Sequence, residues 1–223
     1  MTTAAAHFNV ALLAFDNMEA LDFAGPFEVF TTAARVARKR FSAPAIQPGS
    51  GTDPKDLFSV CCVARSLGPV KARAGLRVLP DADFAQCQQA DLLLVPGGVV
   101  DAAQACPQTL AWVRHLHAHS PWTASVCTGA FILAAAGVLT DEPCTTHWED
   151  LVDLRAQFPA LQVQAGVRWV EAQQGRLVTS AGISAGIDMS LHLVARMAAS
   201  VGWDGTALAE ATARQMDYPW VRT

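Results

Sequence analysis

Charge is thin on this chain and none of it is one-sided. Only 16% of the 223 residues are charged, and the net charge of −4 leaves no basic excess. That absence argues against nucleic acid or an anionic membrane as partner, because both recruit proteins through clustered Lys and Arg. Long apolar runs are missing too. Leu92–Val95 and Phe131–Ala136 are far too short to span a bilayer. No charged start followed by an apolar stretch and a cleavage site is seen, so the expected location is cytoplasmic. Cysteine is present but without pattern: Cys61 and Cys62 are adjacent, and Cys87, Cys106, Cys127 and Cys144 are scattered without paired metal-ligand spacing. In a chain of this size with no export signal, these residues read as free thiols rather than disulfides.

What the chain does have is apolar bulk. At 52% hydrophobic it can fill a sizeable core, and residues 1–223 are expected to form a single domain. Short β-type runs alternate with helical stretches. Strands are expected at Phe8–Phe15, Phe58–Ala64, Leu76–Leu79, Leu92–Val95 and Trp122–Val126, with a hairpin of Val167–Gln173 and Arg176–Thr179 across Gln174-Gly175. Helices are expected from Pro26, a good first-turn residue, through Arg38, then at Leu110–His119, after Cys127 through Leu133, and at Trp148–Phe158, Ser184–Ala199 and Gly205–Met216. Pro44–Lys55 is rich in turn formers and reads as a loop. Strands that are apolar on both faces, with helices between them, predict an α/β fold built on a mainly parallel sheet sandwiched by helices. Chemistry in such folds sits beyond the carboxyl ends of the strands, where Glu19–Gly25, Pro96-Gly97-Gly98 and Cys127 all fall.

Ser125-Val126-Cys127-Thr128-Gly129 is the most informative stretch. A nucleophile at the apex of a sharp strand-to-helix turn needs small residues two before and two after it, and Ser125 and Gly129 satisfy that demand. The N-terminal end of the following helix would favour thiolate over thiol at Cys127. The alternative is a buried cysteine beside a glycine used for close packing. Pro96-Gly97-Gly98 is either a plain turn or, through Gly97 and Gly98, a backbone anion hole completed by the N–H of Thr128. A cysteine that adds to a substrate also needs a proton donor and acceptor. Asp22, between Leu21 and Phe23 and near Phe27, would have a raised pKa in such apolar surroundings and suit general acid–base work; alternatively it caps a helix. Glu19 is the rival acid. His147, in Thr145-Thr146-His147-Trp148, is either a base or a structural histidine at a helix start. In Ser180-Ala181-Gly182-Ile183-Ser184-Ala185-Gly186-Ile187-Asp188, Ile183 would line an apolar pocket, and Asp188 reads as a first-turn partner of the helix dipole.

Together, the strand ending in Pro-Gly-Gly, the Ser-Val-Cys-Thr-Gly-Ala elbow, Thr-Thr-His-Trp and Gly-Ile-Ser-Ala-Gly-Ile-Asp resemble the ThiJ/PfpI superfamily. The resemblance runs from about Val10 to Tyr218. It implies a flavodoxin-like, class I glutamine-amidotransferase-like fold. Leu21-Asp22-Phe23-Ala24-Gly25-Pro26-Phe27-Glu28-Val29 resembles more narrowly the isonitrile hydratase branch, and the similar domain of AraC-type transcription regulators. By that resemblance Cys127 is the nucleophile, Asp22 is essential and Thr128 assists in a lyase that hydrates an isonitrile to an N-substituted formamide. Cys127 would attack the isonitrile carbon while Asp22 supplies the proton. No metal or organic cofactor is implied, the partner is a small-molecule substrate, and a homodimer is expected. Thr128 stands where peptidase-like members place His, so that pairing is missing. Phe41–Phe58 is longer than usual for the branch and bears on substrate identity. The rival reading is a small-molecule sensor domain without its own DNA-binding module, since only Tyr218–Thr223 follow the last expected helix. Aldehyde detoxification is a third reading, disfavoured by Asp where Glu is usual.

Overall fold

The computed structural model describes residues 7–40 and 56–222. In chain order the elements are β1 (Phe8–Leu13), α1 (Ala20–Arg40), β2 (Phe58–Ala64), β3 (Val70–Lys71), β4 (Arg77–Val78), β5 (Ala82–Asp83), β6 (Leu92–Val95), α2 (Asp101–Gln104), α3 (Pro107–His119), β7 (Trp122–Val126), α4 (Gly129–Ala135), β8 (Pro143–Cys144), α5 (Leu151–Gln157), β9 (Gln162–Val163), β10 (Trp169–Ala172), β11 (Leu177–Ser180), α6 (Ala185–Ser200) and α7 (Gly205–Gln215). A 3₁₀ turn at Trp148–Asp150 leads into α5. The main sheet has the order β10-β11-β7-β6-β1-β2-β5. Every neighbouring pair in it is parallel except the β10–β11 hairpin.

Side chains alternate across the sheet, so the central strands bury both faces and read as unbroken apolar runs. Val10, Leu12, Leu92 and Leu94 pack with Phe30 of α1 and Leu191 of α6. Ala11, Leu13, Leu93 and Val95 pack on the opposite side with Leu116 of α3 and Ile132 of α4. Helices α1, α6 and α7 therefore cover one face, and α3, α4 and α5 the other. This is the mainly parallel, helix-sandwiched α/β fold that the sequence pattern predicts.

Two expectations change. Helix α1 begins at Ala20, and Pro26 lies inside it rather than at its start. Pro26 stands in the second turn, where proline has no N–H to give the Asp22 carbonyl and its ring crowds that oxygen, a cost the first-turn position would have avoided. The Leu76–Leu79 run supplies only β4, which pairs antiparallel with β3 outside the main sheet. Leu76 and Leu79 remain exposed, so little apolar surface is available to hold that segment in the core. The Pro44–Lys55 loop, and with it most of the Phe41–Phe58 segment, lies outside the described residues.

From β1 the chain passes through α1 to β2 on one side of the sheet, while β6 and β7 extend the sheet the other way. The carboxyl ends of β1, β6 and β7 thus meet where strand order reverses, the crevice in which open α/β sheets place their ligands. Asp22, the Gly97-Gly98 loop and Cys127 follow those three strands.

Candidate active site

Cys127 sits between β7 and α4 with φ of +56°, in the left-handed region that a residue with a Cβ avoids. Such a residue costs about 1–3 kcal/mol and persists only where its surroundings hold it. Here its N–H donates to the Ser180 carbonyl at 3.0 Å, and the Thr146 hydroxyl donates to its carbonyl at 2.8 Å. The turn is tight because α4 begins at Gly129, where a Cβ would lie 2.3 Å from the Val95 carbonyl oxygen. Strand, strained apex and helix follow one another as the elbow pattern requires.

Asp22, in the first turn of α1, is fully buried. Its Oδ2 accepts the Gly97 N–H at 3.2 Å, its Oδ1 is buried without a hydrogen-bond partner, and the Cys127 side chain is near enough to influence its titration. Burial pushes the carboxyl up to about 7; the Cys127 side chain pulls it down, the Glu19 charge pushes it up, and the Gly97 bond pulls it down. The apolar setting comes only in part from the sequence neighbours invoked for it. Phe23 is buried, but Leu21 and Phe27 are exposed, because helical geometry turns these positions to different faces. Part of what surrounds the carboxyl is the Gly97 loop and Cys127, which are distant in sequence.

The thiol departs from expectation. Burial and then the Asp22 charge push Cys127 up to about 12, while the Thr128 N–H facing the sulfur pulls it down. Desolvation of a thiolate and a neighbouring carboxylate together outweigh the helix end. The carboxyl ionises first and the sulfur keeps its proton at neutral pH.

The glycine loop is also occupied. The Thr128 hydroxyl donates to the Gly98 carbonyl at 2.8 Å, and the Gly98 N–H donates back to that hydroxyl oxygen at 2.8 Å. With the Gly97 N–H committed to Asp22, two of the three donors expected to form an anion hole are already paired, and the third, the Thr128 N–H, faces the sulfur. Their work is to fix Thr128 and Asp22.

Other candidates stand around this centre. His147 caps the 3₁₀ turn, its Nδ1 accepting the Glu149 N–H at 3.4 Å and lying 3.4 Å from an Asp150 oxygen. Its ring packs on Gly182, where a Cβ would lie 2.4 Å from Cδ2 of His147 and 3.1 Å from the Cys127 sulfur. Glu19 is turned to the start of α1, accepting the Ala20 N–H at 3.2 Å and lying 3.8 Å from the Arg73 guanidinium. Ile183 is exposed rather than walled in. Thr146 and Asp150 received no role from the sequence, yet one holds the Cys127 carbonyl and the charge of the other raises the thiol further. The signal for Thr146 was its place in Thr-Thr-His-Trp; Asp150 carried none. Beside Thr128 and Gly98 opens a cleft of about 430 Å³, lined also by Val99, Phe131, Asp150 and Gln157. Among the described residues no group of three or more His, Cys, Asp and Glu is arranged to hold a metal ion, and no helix is long and apolar enough to cross a membrane.

Comparison with known proteins agrees with this geometry. A family model described as DJ-1/PfpI family matches residues 8–196. The chain is 32% identical over 202 residues to isonitrile hydratase of Pseudomonas putida, covering 90% of this chain and 75% of that protein. It is 30% identical over 141 residues to the HTH-type transcriptional regulator CdhR of Pseudomonas aeruginosa, covering 63% of this chain and 41% of the regulator. A crystal structure of a ThiJ/PfpI family protein from Pseudomonas syringae superposes with a TM-score of 0.75 at 27% identity, covering 98% of this chain and 78% of that one.

Proposed function

We propose that this chain, which belongs to the DJ-1/PfpI family, adds water to an isonitrile and releases an N-substituted formamide. The observation that carries the reading is the contact between a protonated Cys127 thiol and a buried Asp22 carboxyl that titrates close to neutrality. The likeness to isonitrile hydratase supplies the substrate class.

The terminal carbon of an isonitrile accepts a proton and a nucleophile at the same atom. A preformed thiolate is therefore not required, provided one neighbour gives a proton as it takes another. Asp22, with its carboxyl near half-ionisation at neutral pH, suits that exchange. Its proton passes to the carbon, the Cys127 sulfur bonds to the same carbon, and the thiol proton returns to Asp22. The product is a thioimidate bound to Cys127. Asp22, protonated again, gives its proton to the nitrogen and takes one from the water whose oxygen adds to that carbon. Breakage of the carbon–sulfur bond, with the hydroxyl proton passing to sulfur, frees the formamide and restores both groups. Gly97 aims Asp22 at the sulfur, and Thr128 locks the Gly98 loop beside it. The same reading expects a homodimer, checked by light scattering.

Turnover of cyclohexyl isocyanide by the native protein, Cys127→Ala and Asp22→Asn is the test. Losses of roughly a thousandfold or more are expected in both variants, because groups that act as one unit fail together. No hydration by the native protein would remove the assignment. Isonitrile binding without turnover would instead favour a sensor, the reading that the similarity to CdhR supports.

A further inference from the structure

Asp188 is fully buried, yet no step of the reaction uses it. Its carboxylate is gripped by the Arg168 guanidinium, Nε of which lies 2.5 Å from Oδ2. Its other oxygen accepts the Val221 N–H at 3.0 Å, and its carbonyl accepts the Trp220 indole N–H at 3.2 Å. Tyr218, from the same terminal segment, donates its hydroxyl to the Ser184 carbonyl at 3.3 Å. Arg168 also donates to the Ser184 hydroxyl at 3.3 Å, and its carbonyl accepts the Ala181 N–H at 2.9 Å. The last three of these contacts reach the loop from Ser180 to Ser184, and those of Asp188 anchor their donors, Arg168 and the terminal segment, to α6. That loop supplies the carbonyl that holds the Cys127 N–H, and its Gly182 lies against the sulfur.

We propose that Asp188 is a positioning residue for the Cys127 chemistry: with Arg168 and the terminal strap Tyr218–Val221 it holds the Ser180–Ser184 loop as a roof over the sulfur. The proposal rests on Cys127 being the reacting group, but not on the isonitrile being its substrate. A buried carboxylate that ties together three chain segments has more partners than helix-dipole compensation calls for. The roof keeps water from the thiol, which preserves the desolvation that makes Asp22 the group that ionises first.

The test is peptide-resolved iodoacetamide labelling of the native chain, Asp188→Asn, Asp188→Ala and a chain ending at Asp217. Cys106, which lies outside this network, serves as internal reference. Labelling of Cys127 relative to Cys106 is expected to rise roughly tenfold in the truncated chain and in Asp188→Ala. A smaller rise is expected in Asp188→Asn, which keeps an acceptor for Val221. Fully buried Cys144 should stay slow, since global loosening would expose it together with Cys127. In turnover, kcat should fall by about the same factor while KM changes less than about twofold. An unchanged Cys127-to-Cys106 ratio in the truncated chain and Asp188→Asn would overturn the proposal, as would Cys127 and Cys144 rising in parallel. If the native chain hydrates no isonitrile, the substrate assignment fails and the labelling ratio still decides the positioning role.

Discussion

Cys106 and Cys127 both stand at the entrance to a helix, and their thiols are driven in opposite directions. Cys106 precedes α3, whose first residue is Pro107. Burial is the largest single influence and pushes its thiol up, but hydrogen bonds from Thr109, Arg65 and Gln108 together outweigh it, and the net shift is downward. The Arg65 guanidinium lies 3.9 Å from that sulfur. Cys127 precedes α4 and is pushed up to about 12 by burial and by Asp22. A helix end is therefore a secondary influence on a cysteine. Solvent access and the sign of the nearest charge decide whether the sulfur gives up its proton. The cysteine that resembles a ready nucleophile in sequence needs Asp22 to become one, and the one whose thiol is shifted downward is held by hydrogen-bond donors instead.

The largest effect expected from this contrast is in bulk reactivity. At about pH 7.5, iodoacetamide should modify Cys106 at least about a hundredfold faster than Cys127, read by peptide mass spectrometry. Faster labelling at Cys127 would show that the sulfur is ionised in place. The next effect is on stability. A carboxyl raised from 3.8 to about 7 in the folded state favours folding fully below its unfolded value, and that contribution is lost as pH rises through about 7. Asp22→Asn should therefore melt higher than the native chain at about pH 8, by at most about 4 kcal/mol in stability, with the gap closing toward pH 4. A gap that stays constant with pH would mean that Asp22 titrates as an ordinary carboxyl. The smallest effect belongs to Asp150, which only adds its charge to the field at the sulfur. Asp150→Asn should speed Cys127 labelling by less than about threefold, and added salt should shrink even that. A larger change would promote Asp150 to a direct partner of the thiol.

The legible parts of this molecule are those written in local pattern. The double-sided burial of Leu92–Val95 and the small residues flanking Cys127 identify sheet and elbow without any tertiary information. Strands as short as Val70–Lys71 or Pro143–Cys144 leave no such trace, because two residues carry no periodicity. The surroundings of Asp22 are only partly legible from its neighbours. Phe23 is buried, but Leu21 and Phe27 face outward and the Gly97 loop meets the carboxyl. The occupied donors of Gly97 and Gly98 depend on side chains of α1 and the elbow, so the tripeptide alone offers no hint of them. The ties of Asp188 to Trp220 and Val221 span more than thirty positions and are likewise invisible to spacing.

The walls of this centre are made of main chain, and that divides the positions open to protein engineering from those that are closed. A methyl group at 97 would sit 2.6 Å from the Thr128 nitrogen, and one at 129 would strike the Val95 carbonyl oxygen. Combinatorial libraries at such positions are spent on unfolded chains. The cleft beside Thr128 is lined differently, by the side chains of Val99, Phe131 and Gln157. Val99 and Gln157 are exposed, so shape can change there while the frame around the sulfur stays as it is, whereas Phe131 is fixed in the core.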